Sequence, residues 1–258
     1  VLLLMMDSTN IDNPGFSTPE RVVHENLAEI IKNTKRRLII GTFASQIERM
    51  VAIIEAAEAC GKKIVVEGRS MKQNIEIVRE LGKIKAKKET FATVEEAATL
   101  PPDRIVILAT GAQGDEFAAL MRMAMKSHKY IKIGERDTIL LSSSIVPGNE
   151  LAVQKLKDNL ARQGAKIIHY RSSDVYIHST GHANRGELEG IHRKVNPKFF
   201  IPIHGHHYML RVHEELAQNL GMPKENIVVP DNGMIIEIYD DGTKIHALKD
   251  KAPSSPVM

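Results

Sequence analysis

Tryptophan is absent from this 258-residue chain, and cysteine occurs once, at Cys60. A single cysteine excludes a disulfide scaffold and any zinc module built on clustered thiolates, and it suits a reducing, cytoplasmic setting. Long apolar runs are missing too. The longest, Val1–Met6, falls far short of the ~20 residues that cross a bilayer, so no membrane partner is expected. Nor is there an excess of charge. Lys and Arg total 35 against 32 Asp and Glu, a net of +3, so any surface for nucleic acid has to be local. With 26% charged and 43% hydrophobic residues, the composition is that of a globular protein rather than a disordered or collagen-like one.

What the chain does have is alternation. Short apolar runs at Arg37–Gly41, Lys63–Glu67, Arg104–Thr110, Thr138–Ser142 and Lys166–His169 read as strands. Stretches with 3.6-residue periodicity lie between them, at Glu20–Asn33, Gln46–Cys60, Met71–Leu81, Asp115–Met125 and Glu150–Gln163. Strands alternating with helices imply crossover connections and a mostly parallel α/β sheet with helices on its faces. After Tyr170 the pattern changes. A short strand at Val175–His178, a helix at Arg185–Val195, a strand at Phe199–Ile203 and a helix at His207–Leu220 are expected. A hairpin then joins Met234–Tyr239 to Thr243–Leu248 through Asp240-Asp241-Gly242. The opening run Val1–Met6 reads as a buried strand. Together with the segment after Tyr170 it can form a second unit, which makes Asn13–Tyr170 an insertion. Residues 249–258, rich in Lys, Pro and Ser, read as a linker or tail.

Three strand ends carry small and polar residues: Gly68-Arg-Ser-Met71, Ala109-Thr-Gly-Ala-Gln-Gly-Asp-Glu116 and Ser142-Ser-Ser-Ile-Val-Pro-Gly-Asn-Glu150. Ligands of open parallel sheets bind at such ends, where Gly permits close approach and Ser and Thr supply hydrogen bonds. Arg69 among them favours a phosphate-bearing ligand. Neither G-x-G-x-x-G nor a P-loop is present, so a phosphodiester backbone contacted along a groove fits better than one tight pyrophosphate cradle.

Three further sites have residues suited to chemistry. Asp7 closes the opening strand, where it can ligate a metal or orient an imidazole, although a plain turn aspartate is the simpler alternative. His178-Ser-Thr-Gly-His182 places two imidazoles and two hydroxyls in one loop, suited to proton transfer or to phosphate contact. His204 follows the Phe199–Ile203 strand, in a loop opened by Gly205. The remaining histidines, His24, His128, His169, His192, His213 and His246, are expected on helix faces or the surface.

Taken in order, Asp7-Ser-Thr-Asn10 with Pro14-Gly15-Phe16, Gly68-Arg-Ser-Met71, Ala109-Thr-Gly-Ala-Gln-Gly114, Ser142–Glu150, Ser179-Thr-Gly-His182 and Pro202-Ile-His-Gly205 resemble the ribonuclease J family of β-CASP metallo-β-lactamase nucleases. The resemblance spans Leu2 to about Leu248. It implies a β-CASP domain at 13–170, inserted into a metallo-β-lactamase αββα domain whose C-terminal part is 1–12 and 171–248. It further implies a metal-dependent RNase with 5′→3′ exonuclease and endonuclease activity, working with two zinc ions between the domains, or with manganese or magnesium. RNA is the implied partner, and a homo-oligomer the implied assembly of the full-length protein.

Residue by residue, the resemblance makes His204 a metal ligand, His182 the active-site histidine at the scissile phosphate, and Asp7 the acid that orients it. His178, Ser179, Thr180 and Gly181 fall where the family holds a nucleotide phosphate. Ser142, Ser143 and Ser144 line the RNA channel, and Arg69 joins the phosphate-binding set. Two departures stand out: the H-x-H-x-D-H metal motif does not occur, and His206 replaces the acidic residue that commonly follows His-Gly. The chain is therefore expected to lack the N-terminal metallo-β-lactamase part and to be inactive alone. The alternatives are a non-catalytic RNA-binding module and another metallo-hydrolase, for small phosphoesters or lactams, on the same scaffold.

Overall fold

The structure, a computed structural model, describes residues 1–116 and 118–252. The chain forms two compact units, Thr18–Ser179 and Val1–Ser17 together with Thr180–Met258. Strand β1 (Leu3–Asp7) begins the split unit, and the chain then builds the inserted unit from α1 (Glu20–Asn33), β2 (Arg37–Gly41), α2 (Ile47–Ala59), β3 (Lys63–Glu67), α3 (Arg69–Glu80), α4 (Val94–Ala97), β4 (Ile105–Ala109), α5 (Ala119–Ala124), β5 (Asp137–Leu141), α6 (Glu150–Ala161) and β6 (Lys166–His169).

The five strands of the inserted unit are all parallel, in the order β3-β4-β2-β5-β6. Alternate side chains of a strand point to opposite faces, and each face has its own helices. Leu38, Ile40, Ile64, Val106, Leu108 and Leu140 pack with Val23, Leu27 and Ile31 of α1, with Met50, Ile53 and Ile54 of α2, and with α3. Ile39, Val65, Ile105, Ile107, Ile139 and Leu141 pack with α5 and with Leu156 and Leu160 of α6. Burial on both faces is why these strands read as continuous apolar runs. Each buried aliphatic side chain contributes roughly 1.5–3 kcal/mol.

Two expectations about this unit need correcting. The helix anticipated over Asp115–Met125 is only Ala119–Ala124. Gly111 and Gly114 hold φ of +99° and +79°, and this loop stays irregular; Phe117 lies outside the described residues. Val175–His178 is not a strand. Side chains, not a ladder, take up its carbonyls: Asn26 donates to Tyr176 O at 2.9 Å and Ser142 Oγ to Ile177 O at 2.6 Å. Those bonds also tie 171–179 into the compact unit that ends at Ser179.

In the split unit β1 pairs in parallel with β7 (Phe199–Ile203), with Asp7 opposite Ile203. Helices α7 (Arg185–Val195) and α8 (His207–Asn219) contribute Leu188, Leu216 and Ala217 to the clusters around Met6 and Phe200. A second cluster joins Leu3, Phe199, Ile201 and Ile203 to an antiparallel hairpin, β8 (Met234–Tyr239) and β9 (Lys244–Lys251). Its turn places Asp240, Asp241 and Gly242 at φ of 52°, 52° and 79°, a left-handed run that Asp and Gly tolerate.

Two more expectations fail here. Lys249–Lys251 complete β9, with Lys251 opposite Met234, because backbone pairing needs no apolar side chain; residues 253–258 lie outside the described residues. The opening strand is also not deeply buried. Among the described residues β1 pairs with β7 alone, and Met5 is 53% exposed. No helix among the described residues is long and apolar enough to cross a membrane.

Candidate functional site

Asp7 ends β1, and His204 stands one residue past β7, so the parallel register itself brings them together. His204 adopts φ of +54°, a left-handed conformation that costs a non-glycine residue ~1 kcal/mol or more. Thr9 holds it there, donating its hydroxyl to His204 O at 2.9 Å and lying 3.0 Å from His204 Nδ1. His182 enters from the loop before α7. Asn10 donates from Nδ2 to His182 O at 3.1 Å and to Thr180 Oγ1 at 3.3 Å, and the His182 amide donates to Thr180 Oγ1. The start of α7 is pinned by Glu187, whose carboxylate accepts from the Asn184 amide and from both Ser17 N and Ser17 Oγ.

These elements converge on a carboxylate and two imidazoles. Asp7 Oδ2 lies 2.7 Å from His182 Nδ1 and 3.2 Å from His204 Nδ1. The two rings stack at 5.3 Å with planes 24° apart. One ligating atom from each residue falls within 4.8 Å of the others, the only such group of three among the described residues. Burial pushes the Asp7 carboxyl up, but the Thr9 amide at 2.7 Å and His182 outweigh it, and the group ends below its ordinary value. A carboxylate held ionised beside two imidazoles is a donor set for a borderline cation such as zinc.

Beneath Asp7, Ser8 is fully buried with its Oγ 2.9 Å from His213 Nδ1, and His213 Nε2 lies 3.2 Å from His192 Nε2. Phe200 stacks edge-on to both rings. Burial pushes His213 down to about 3 and His192 to about 4. These two lie on the buried faces of α7 and α8, the helix-face alternative of what was expected rather than the surface one. Their spacing carried the signal: Leu188 to His192 is one helical turn, as is His213 to Ala217.

The residues expected to hold phosphate distribute unevenly. In the split unit Thr180 braces the His182 loop, and Gly181 is exposed with open space around its Cα. Within the inserted unit Arg69 is exposed in the first turn of α3. His178 and Ser179 are half-buried, held by the fully buried Arg49.

Ser142 and Ser143 depart from the channel lining expected of them. Ser142 is fully buried, with its hydroxyl committed to Ile177 O, and Ser143 is 4% exposed, its Oγ accepting weakly from Gln113 at 3.4 Å. Ser144 offers its carbonyl to Gln113 Nε2 at 2.7 Å. Gln113 also accepts from Val146 N, so it ties the loops after β4 and β5 to each other.

The loop glycines are likewise explained by packing. A Cβ at Gly68 would lie 2.3 Å from Thr110 Oγ1, and one at Gly111 2.5 Å from Ala118 Cβ. A cavity of about 640 Å³ includes none of the expected residues. Glu67, Lys72, Arg79, Phe91, Lys129 and Tyr130 are among its walls.

Comparison with known proteins bears on both units. Residues 35–160 match the family model "Ribonuclease J, beta-CASP domain", and residues 174–230 match "Zn-dependent metallo-hydrolase RNA specificity domain". The chain belongs to the ribonuclease J family. Ribonuclease J of Mycolicibacterium smegmatis is 39% identical over 92% of this chain and 42% of its own length. Ribonuclease J 1 of Streptococcus pyogenes is 38% identical over 95% of the chain and 43% of itself. Ribonuclease J2 of Bacillus subtilis is 34% identical over the whole chain and 45% of itself. This ribonuclease J-family chain thus spans less than half the length of these relatives. A solved structure, a protein of unknown function from Enterococcus faecalis V583, shares the fold at a TM-score of 0.59 and 14% identity, over 96% of this chain and 52% of that one.

Proposed function

We propose that this chain is the β-CASP and RNA-specificity portion of a metal-dependent ribonuclease that hydrolyses RNA phosphodiesters, as 5′→3′ exonuclease and endonuclease, in RNA processing and decay. The carrying observation is the convergence of Asp7, His182 and His204, far apart in sequence, on one point. The names of the relatives and the zinc-dependent description of the 174–230 match support the reading. A cytoplasmic setting fits the single, unpaired Cys60.

Asp7 and His204, with His182 beside them, would hold zinc, with manganese or magnesium as alternatives. One carboxylate and one imidazole are fewer than the three protein ligands a catalytic zinc takes, so the remaining ligands, and those of the family's second ion, need donors beyond these residues, because H-x-H-x-D-H does not occur in the sequence. Bound there, the metal supplies Lewis-acid polarisation of a phosphoryl oxygen and a nucleophile at neutral pH.

The chain's own residues do the rest. Asp7 Oδ2 accepts from His182 Nδ1–H, which fixes the ring, and in the doubly protonated ring Nε2–H would pass its proton to the departing oxygen. In the inserted unit Arg69, Ser144, His178 and Ser179 would contact the RNA backbone, and in the split unit Thr180 and Gly181 would; Ser142 and Ser143 would act by holding the loop after β5.

The test is cleavage of 5′-monophosphorylated RNA, with zinc or manganese, by a chain extended N-terminally to include an H-x-H-x-D-H segment. Degradation that disappears in His182→Ala, with folding intact, is expected; an unchanged rate removes His182 from the mechanism. A second reading, RNA binding without cutting, is favoured by the single metal-competent cluster among the described residues. It predicts salt-dependent RNA affinity with no cleavage even in the extended chain.

A further inference from the structure

Strands β3, β4 and β2 are neighbours in the sheet, and all three begin beside one surface pocket of about 370 Å³ in the inserted unit. The Gly68 and Gly111 loops are at the other ends of these strands, roughly 17 Å away along a five-residue strand. Lys32, Thr34 and Lys35 of the pocket precede β2, Cys60 and Lys62 precede β3, and Asp103 and Arg104 precede β4. A defined turn delivers Lys62. Gly61 takes φ of +65° just past α2, its amide donates to Glu58 O at 2.8 Å, and the Lys62 amide donates to Ala57 O at 2.9 Å. That pair of bonds is the Schellman ending of a helix.

Lys62 is the unusual member. It is only 7% exposed, and of the three donors on its ammonium one has a partner among the described residues, Thr34 O at 2.9 Å. Burial pushes that ammonium below its ordinary value, with Lys35 and Arg104 adding to the fall against the pull of Cys60 and Asp103. Buried charges are normally paired. Lys32 has Glu29 at 3.5 Å, but Lys35, Lys62 and Arg104 have no carboxylate within ion-pair distance among the described residues. Asp103 is the one acid in the wall. The C-termini of α1 and α2 also end here, each equivalent to about half a negative charge. Set against three cations, these leave a surplus of about one positive charge, carried by donors that no protein acceptor satisfies.

We propose that this pocket binds a small diphosphoryl anion, pyrophosphate or the diphosphate end of a nucleotide, between buried Lys62 and the exposed Lys35 and Arg104. Phosphoryl oxygens accept several hydrogen bonds each. Lys62 has two N–H groups to give, Lys35 has three, and the Arg104 guanidinium is a planar fork that suits two oxygens at once. A volume of about 370 Å³ lies in the range of small-ligand pockets and exceeds what a single phosphate needs. An RNA strand is the poorer occupant, because the Gly- and Ser-rich loops are at the opposite ends of the strands. The assignment does not rest on the ribonuclease reading and gives the inserted unit a ligand of its own.

Cys60 is the one cysteine of the chain and borders the pocket, so its reactivity reads out occupancy. Saturating pyrophosphate is expected to slow alkylation of Cys60 by iodoacetamide about tenfold, because the thiolate is the attacking species and a neighbouring anion disfavours it. Chloride at matched ionic strength is expected to change the rate less than about twofold. Pyrophosphate is also expected to raise the melting midpoint. K35Q/R104Q alters two exposed side chains, leaves Lys62 in place, and is expected to lose both effects. ADP is tested beside pyrophosphate: protection by both assigns the site to nucleotides, protection by pyrophosphate alone to the free anion, and either supports the pocket. A wild-type chain with neither protection nor a midpoint shift overturns the proposal. Equal protection by chloride means screening alone, and protection that survives in K35Q/R104Q puts the anion elsewhere; each overturns it too. Stronger protection by an oligouridylate than by pyrophosphate makes this face a nucleic-acid contact and overturns the small-ligand assignment.

Discussion

Asp7 Oδ2 lies 2.7 Å from His182 Nδ1, although the two residues are 175 positions apart in the chain. The carboxylate also accepts the Thr9 amide, so it is fixed before it meets the ring. Asp7→Asn keeps the size and removes the charge. In the extended, RNA-cleaving chain this change is expected to slow hydrolysis ~10²–10⁴-fold, the range of a lost acid–base contribution, with little change in the melting midpoint. Cleavage at the wild-type rate would show that His182 needs no such orientation.

Metal capture separates from chemistry. Zinc added to the chain is expected to raise its melting midpoint, since an ion that binds only the folded state stabilises it by mass action. His204→Ala and Asp7→Asn together should abolish that shift. An equal shift in the double variant would place the ion elsewhere.

Acid sensitivity follows from the buried histidines. His192 and His213 ordinarily titrate near 6.5, and burial pushes them down to about 4 and about 3. Between those values and 6.5 the unfolded chain takes up protons that the folded chain refuses. Their stabilising contribution is therefore complete above pH 6.5 and is lost as pH falls, by roughly 1.4 kcal/mol per pH unit per histidine. Urea midpoints should drop between pH 7 and pH 5, and His213→Gln should flatten that slope from a lower starting stability. A midpoint constant across the range contradicts the account.

Gly68 is required sterically. Its φ of +121° and the 2.3 Å approach to Thr110 leave no room for a methyl group. Gly68→Ala is expected to destabilise the inserted unit by more than ~1 kcal/mol in chemical unfolding. A neutral result would mean the β3–α3 turn has slack that the packing does not suggest.

The sequence exposed the inserted unit well, because strands buried on both faces and helices with one apolar stripe leave strong periodic marks: β2, β3, β6 and α1 lie where their patterns put them. It was less informative where side chains substitute for a ladder. Val175–His178 alternates like a strand, yet Asn26 and Ser142 satisfy its carbonyls. Ser142 reads as a loop donor and is instead a buried tether. Lys249–Lys251 reads as tail because β9 is polar there, while its pairing is carried by the backbone. In the site, Asp7, His182 and His204 were legible as strand-end and loop residues. Thr9 and Arg49 were not, because their importance lies in what they brace across long sequence separations.

The pairing of β1 with β7 has a final implication. Asp7 and His204 are delivered by two peptide ladders in step, and Thr9 clamps the His204 carbonyl. Little torsional freedom remains for a cation to freeze out on arrival, so the entropic toll of assembling the donor set has already been met in folding.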